Sequence, residues 1–396
     1  MTVVVIGILG CAVWLYLLAA RGGFWRGRQR DDTGVTTRAE DIAWPAVVAI
    51  VPARDEAAVI GESLGSLLRQ DYRGSFGVVV VDDHSSDGTA ARVRETAASA
   101  GGDRPATVIA AARLPPGWSG KLWAVQCGIR HVQSLPALPE YLLLTDADIR
   151  HADDALTNLV GRALRGRLVL TSLMARLRCV SFAEQALVPA FVFFFQMLYP
   201  FAWVNRADRT TAAAAGGCML VERQALLAAG GIEAIRSELI DDCALARLLK
   251  RNGGAIWLGL ATRVASARSY ESIGEIRRMV ARSAYAQLGY SPWALVAATL
   301  AMIATFLAPP LLAIFARGAA QLLGAFAWAL MALAFLPTLR FYRLPPWWGF
   351  ALPAIAGAYL AFTWDSAWQN LRGKGGAWKG RVYRGAPDHE ITSDRG

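Results

Sequence analysis

The chain has few of the features that staple small secreted proteins. Among 396 residues there are five cysteines, Cys11, Cys127, Cys179, Cys218 and Cys243, an odd number with no C-x-x-C pair. That argues against a disulfide framework or a zinc site and for reduced thiols in a cytosolic domain. No basic stretch precedes the first apolar run and no convincing cleavage site follows it, which argues against a removed signal peptide. There is no internal repeat, no stripe of alternating basic and aromatic residues and no known nucleic-acid-binding motif. The net charge of +10 therefore suits a surface near anionic lipid or a diphosphate substrate, with no nucleic acid as partner.

Charge itself is missing from four long runs, residues 2–20, 283–316, 318–339 and 344–364. Each could hold a membrane span of about 20 residues, and they account for the 55% hydrophobic content and the mean hydropathy of +0.33. Arg21, Arg26, Arg28 and Arg30 follow the first run. By the positive-inside tendency, the amino terminus faces out and the globular part faces the cytoplasm. Four crossings would put the basic tail (Arg372, Lys374, Lys379, Arg381, Arg384) outside, against the same tendency. One run is therefore expected to be re-entrant or interfacial, and 293–316, interrupted by Pro309-Pro310, is the candidate.

Between the runs, strands and helices alternate. "AVVAIVP", "GVVVVDD", "TVIAA", "YLLLTD" and "LVLTSLM" read as strands, and "EAAVIGESLGSLLRQ", "GTAARVRETAASA" and "LWAVQCGIRHV" as the helices between them. This rhythm predicts a doubly wound α/β sheet, in which ligands bind beyond the carboxyl ends of the strands. Acidic clusters fall at those ends: Asp55-Glu56, Asp82-Asp83 and Asp146/Asp148. In an extended segment Asp146 and Asp148 would face the same way, roughly 6.5 Å apart, a spacing that suits one hard divalent cation. Asp153 or Asp154 could instead cap the helix "ALTNLVGRAL". "ELIDDCALARLLKRNGG" reads as an amphipathic helix, acidic at its start and stopped at Gly253. The uncharged stretch 185–205 contains Pro189 and Pro200 and is expected to be an interfacial or groove-lining helix.

Four motifs, in order, resemble the inverting family 2 glycosyltransferases of GT-A fold: "VPARDE" (51–56), "VDDHSSDGT" (81–89), "TDAD" (145–148) and "IDDCALARLL" (240–249). The resemblance covers residues 46 to about 285. It implies a GT-A mixed sheet flanked by transmembrane helices, and a nucleotide-diphosphate sugar donor held at Pro52, Arg54 and Glu56. Asp82 and Asp83 would bind base and ribose, although either could cap the turn. Asp146 and Asp148 would hold Mg²⁺ or Mn²⁺ against the diphosphate, and Lys121 would add a cation there unless it is a solvated helix-start lysine. Asp242 would be the base that deprotonates the acceptor hydroxyl, with Asp241 in place of the family's usual glutamate.

The Q-x-x-R-W of polysaccharide synthases is missing, since "EIRRMVARSAYAQ" stands in that region. This favours single-sugar transfer. Arg278 and Arg282 share one helix face and could meet the diphosphate, lipid headgroups or only water. The whole layout is similar to the hopene-associated glycosyltransferases of bacterial hopanoid gene clusters. That implies a lipid acceptor and a multi-pass protein of the bacterial cytoplasmic (inner) membrane. Carotenoid, sphingolipid and polyprenyl-phosphate acceptors are alternatives, as is a non-catalytic GT-A scaffold. The expected domains are a 1–22 anchor, a 23–43 linker, a 44–285 GT-A domain, 286–364 membrane segments and a 365–396 tail.

Overall fold

The computed structural model describes residues 1–33, 43–101, 104–373, 377–378 and 381–382. Runs of β-branched residues make the central strands, because such side chains fill a sheet that is covered on both faces. These are β1 (Val47–Ala53), β2 (Phe76–Asp82), β3 (Ala106–Ala110) and β4 (Tyr141–Thr145). The sheet continues through β5 (Ile149–His151), β6 (Leu170–Arg176), β7 (Cys218–Glu222) and β8 (Ile256–Ser266) in the order β3-β2-β1-β4-β7-β6-β8-β5. β7 runs antiparallel to both β4 and β6, while β6 and β8 are parallel. The sheet is therefore mixed, and β1, β2, β4 and β8 end on the same edge.

Helices α2 (Ala57–Leu68), α3 (Thr89–Ser99), α4 (Gly120–Gln133) and α5 (Ala155–Gly166) cover the sheet. The close fit of α4 explains Gly128, where a Cβ would stand 2.5 Å from a methyl of Ile50. Asp154 is the first residue before α5, but its carboxylate accepts from Arg263 Nε at 2.8 Å and does not cap the helix. β8, eleven residues long, was not expected from the sequence. Part of the linker pairs with it: Asp31 accepts from the backbone of Thr262 and Arg263 at 2.8 and 3.0 Å.

Three helices are long and apolar enough to cross a membrane by length and composition: Thr2–Ala19, Pro292–Phe315 and Ala319–Phe341. Three of the four uncharged runs therefore give such helices, and the run left out is 344–364 and not the expected 293–316. The expected interruption at Pro309-Pro310 is corrected, because the helix runs through the prolines. A π-helical segment, Ile303–Leu307, lies just before them, and the Thr305 carbonyl, which Pro309 has no N–H to bond, accepts from Trp14 Nε1 at 2.8 Å. The last apolar run forms the helix Trp348–Leu371, which carries Asp365 and bonds it to Arg277 at 3.1 Å.

Trp14 meets Phe306, Gly10 meets Pro309 and Ala327, and Gly7 meets Leu312 and Leu323. Thr2–Ala19 thus lies antiparallel to Pro292–Phe315 and parallel to Ala319–Phe341. Their outer faces present exposed Val5, Leu9, Leu300, Leu311, Leu322 and Phe326.

The stretch 185–205 forms α6 (Phe182–Leu198) and α7 (Phe201–Val204), begun by a Ser181/Glu184 capping box. Phe193 is fully buried, with ring centroids 5.3 Å from Phe24 and 5.2 Å from Phe335, and Phe194 lies 5.1 Å from Tyr359. α6 is thus the joint between the sheet domain and the apolar helices. Phe193→Ala should destabilise the protein by about 3–5 kcal/mol. Thermal unfolding of the detergent-solubilised protein checks this, and an unchanged midpoint would show that the joint is not tightly packed.

Candidate active site

The Asp146-Ala147-Asp148 segment is a turn, closed by Ile149 N donating to Asp146 O at 3.2 Å, and not the extended segment expected. β4 stops at Thr145 and the chain reverses at once into β5, so the two carboxylates diverge toward different cations. Lys121 Nζ lies 2.8 Å from Asp146 Oδ1 and 3.3 Å from Asp241 Oδ2. Arg268 donates from Nε to Asp148 Oδ2 at 2.9 Å and from one terminal nitrogen to both oxygens of Glu56 at 2.7 and 2.8 Å.

Each side chain has a structural reason for its place. Lys121 sits in the first turn of α4, which Ser119 caps by accepting from Leu122 N. Asp241 and Asp242 open α9 (Asp241–Arg251), where the unpaired N–H groups favour negative charge. Asp242 Oδ2 accepts from Gly216 N at 2.9 Å and Oδ1 from Cys243 N at 2.7 Å. The backbone of Gly216 comes so close that a Cβ there would lie 3.2 Å from Lys121 Nζ and 3.5 Å from Asp242 Oδ2. A side chain there would press on the Lys121 ammonium, which would have to give by a few tenths of an ångström.

The "VDDHSSDGT" run works largely as a clasp on the β1–α2 turn. Ser85 Oγ accepts from Asp55 N, Thr89 Oγ1 from Glu56 N, and Asp87 Oδ2 from Ala57 N, all within 3.0 Å. These bonds hold Asp55 in the left-handed region at φ 51° and aim Glu56 at Arg268. Arg54 donates to the Asp83 carbonyl at 2.6 Å and stands 3.6 Å from its buried carboxylate. Asp82 is partly exposed at the strand end and accepts from Ser85 N at 3.3 Å.

Of the residues expected from the sequence, Pro52, Lys121, Asp146 and Asp241 line one cleft with Thr145 and Gly216. Asp242 adjoins it through Gly216, Asp148 stands two residues past Asp146, and Arg268 joins Asp148 to Glu56. Arg278 and Arg282 are exposed on and just after α10 (Ile273–Ala281), and neither forms an ion pair among the described residues. Arg268 was missed. Its only signal was a cation just past a strand that the sequence reading did not find.

Electrostatics separates the two members of the Asp-Asp pair. Burial, with Asp241 beside it, pushes the Asp242 carboxyl up to about 6, against the pull of Lys121 and two backbone N–H groups. Burial opposes the Lys121 charge, but Asp146, Asp241 and Asp242 outweigh it and hold the ammonium above the ordinary lysine range. Asp242 is therefore poised to take a proton near neutrality, and Lys121 remains a permanent cation.

No group of three or more His, Cys, Asp or Glu residues among the described residues could hold a metal alone. The donor set fits an ion of a different kind. Mg²⁺ is commonly bound by one or two carboxylates, with substrate phosphates and waters completing the shell. Asp146 and Asp148 offer hard oxygen donors for such an ion, and the five carboxylates Glu56, Asp146, Asp148, Asp241 and Asp242 outnumber the two cations that meet them.

Residues 48–228 match the family model described as glycosyl transferase family 2. The chain's fold is similar to that of a mannosyltransferase from Pyrobaculum calidifontis solved in complex with GDP-Man and Mn²⁺. The two are 23% identical with a TM-score of 0.51, over 91% of this chain and 99% of that one. Weaker likenesses include glucosyl-3-phosphoglycerate synthase from Mycobacterium tuberculosis in complex with Mg²⁺ and UDP, 16% identical with a TM-score of 0.40, over 62% of this chain and 79% of that one. TarS of S. aureus is 18% identical with a TM-score of 0.39, over 61% of this chain and 40% of that one. No curated protein matches the chain.

If Arg268 is the bridge between Glu56 and Asp148, then Arg268→Gln and Glu56→Gln should not act independently on stability. A double-mutant cycle read by thermal unfolding should show coupling on the order of 1 kcal/mol. Strict additivity would remove the bridge from the description of the site.

Proposed function

We propose that this protein is a membrane-bound, inverting glycosyltransferase that moves a sugar from a nucleotide-diphosphate donor to the hydroxyl of a lipid, a hopanoid being the acceptor that the sequence layout favours. The observation that carries the reading is Asp242. It is a half-buried carboxylate raised to about 6, fixed by two backbone N–H groups, and adjoins a cleft whose other wall holds Lys121 and Asp146.

Inversion at the anomeric carbon needs a single base on the acceptor side. Asp242 takes the acceptor hydroxyl's proton on its carboxylate oxygen as the hydroxyl oxygen bonds to the anomeric carbon, and the bond from that carbon to the diphosphate breaks on the opposite face. Lys121 neutralises charge growing on the leaving diphosphate. Asp241 keeps Lys121 in place and raises the basicity of Asp242. Asp146 and Asp148 would hold the divalent ion that, when bound, supplies Lewis-acid charge neutralisation to the diphosphate. Arg54, Glu56, Asp82 and Asp83 form the donor's nucleoside end. The Mn²⁺ and Mg²⁺ complexes of the similar folds favour this arrangement.

The lipid acceptor is supported by the apolar belt around Thr2–Ala19, Pro292–Phe315 and Ala319–Phe341, a larger exposed apolar surface than a soluble protein keeps. With three crossings the carboxyl tail lies on the same side as the catalytic domain. That removes the conflict with the positive-inside tendency: the segment that does not cross is Trp348–Leu371, and not 293–316. The tail's Lys374, Lys379 and Arg384 lie outside the described residues.

Asp242→Asn should lower transfer by 10²–10⁴-fold, the usual cost of losing a general base, while nucleotide binding stays nearly unchanged. The carboxylate form of Asp242 is lost as pH falls through about 6, so wild-type transfer should fall about tenfold per unit below that value. Product formation from labelled nucleotide sugar and bacterial lipid extract, followed by mass spectrometry, reads both effects. Activity close to wild type in the asparagine variant would remove Asp242 from the chemistry.

For the topology, single cysteines replacing Ala100 and Arg372, in a background without the native cysteines, should label from the same face of sealed vesicles. Labelling from opposite faces would restore an even number of crossings.

A further inference from the structure

A second cavity, of about 200 Å³, lies away from the active-site cleft where the chain leaves its first apolar helix. It is lined by Gly22, Arg26, Arg28, Gln29, Gln196 and Phe201 among others, and no carboxylate lines it. Arg26 and Arg28 are exposed at its rim, and neither forms an ion pair among the described residues. Gln29 is already engaged, its side-chain oxygen accepting from Asn205 at 3.1 Å. Gln196 is different. Its residue is 3% exposed, it lines the cavity, and its amide has no hydrogen-bond partner among the described residues. A buried amide left unbonded costs stability unless something in the cavity completes its bonds.

Position says what that something is. The cavity opens just past Ala19, at the end of a helix apolar enough to cross a membrane. Two tryptophans mark the same level: Trp25 under the Arg26 guanidinium, and Trp203 packed against Gly22. Indoles and arginines at the end of a span belong to the headgroup layer. The cavity neighbours Leu258, through Asn205 and Gln29, whereas Arg268 of the active site lies beyond the far end of β8. Eight residues of strand, about 26 Å at 3.3 Å per residue, separate Leu258 from Ser266. The cavity is therefore not part of the transfer site. At about 30 Å³ per water, it has room for a phosphate group and part of its ester.

We propose that this cavity is a binding site for the phosphate headgroup of an anionic phospholipid. Arg26 and Arg28 meet the phosphate charge, the Gln196 amide donates to an ester or headgroup oxygen from below, and the acyl chains run back along Thr2–Ala19. The inference rests on the membrane placement argued above but not on the transfer reaction, and the experiment reads lipid retention and not sugar transfer.

Full-length protein is extracted from nanodiscs of mixed phosphatidylcholine and phosphatidylglycerol, and native mass spectrometry counts the lipids it keeps. Wild type should retain phosphatidylglycerol over phosphatidylcholine. Arg26→Gln/Arg28→Gln should reduce that preference on the order of tenfold, from the usual contribution of two juxtamembrane arginines. Gln196→Leu, which keeps volume and apolar packing, should reduce it as well, and Arg92→Gln/Arg94→Gln on α3, by the opposite edge of the sheet, should not. A preference that survives the first two variants overturns the site. So does one that the arginine pair abolishes but Gln196→Leu leaves intact, because surface charge and not the cavity would then be responsible. Complete competition by inorganic phosphate at equal concentration would overturn the lipid as its source.

Discussion

Like-charge repulsion governs the centre of this protein. Glu56, Asp146, Asp148, Asp241 and Asp242 come from two strand ends, those of β1 and β4, and one helix start, and nothing in their local sequence would keep them together. Two cations do so. Lys121 bonds Asp146 and Asp241, and Arg268 bonds Asp148 and Glu56. Each cation reaches between separate elements, so the sheet edge, α4 and α9 hold one another in position through charge. The same arrangement leaves a surplus of negative charge, which is the electrostatic condition for a divalent ion and a diphosphate to enter together.

Asp242 has its properties because of what surrounds it. A carboxylate in the first turn of an exposed helix would be stabilised by the helix dipole and would titrate low. Here burial and the adjacent Asp241 overcome that effect and raise it, while two backbone N–H groups fix its direction. Gly216 contributes by bringing its backbone N–H within 2.9 Å of the Asp242 carboxylate. A base near neutral pH is thus obtained from a residue type that ordinarily titrates far lower.

α6 gives the molecule its second organising principle. Its aromatic residues pack on the apolar helices, where Tyr359 donates to the Leu187 carbonyl at 2.9 Å, and at its start Ser181 and Glu184 bond the backbone of Tyr270 just past β8. The domain is fixed on its apolar base and not merely tethered to it. A lipid hydroxyl at the membrane surface would then meet a catalytic face of constant height and orientation.

The alternation of apolar strands and amphipathic helices was legible from residue order alone, because strand and helix periodicities are local properties. So was the placing of acidic pairs at strand ends. Residues 51–56, 81–89, 145–148 and 240–249 carried enough pattern to mark Lys121's future neighbours. Tertiary structure decided the rest. Whether Asp146 and Asp148 face one another depended on where β4 stopped, and the turn sent them to different cations. Arg268 becomes a site residue only because β8 joins the sheet parallel to β6, a pairing between segments some eighty residues apart in the chain. The fourth uncharged run looked like the others in composition. Its helix, Trp348–Leu371, runs on past the uncharged stretch to Asp365, whose bond to Arg277 ties it to α10, and it is not among the three helices long and apolar enough to cross a membrane. Local pattern is written in neighbouring residues, whereas charge pairing and burial are set by residues that meet only after the chain has folded.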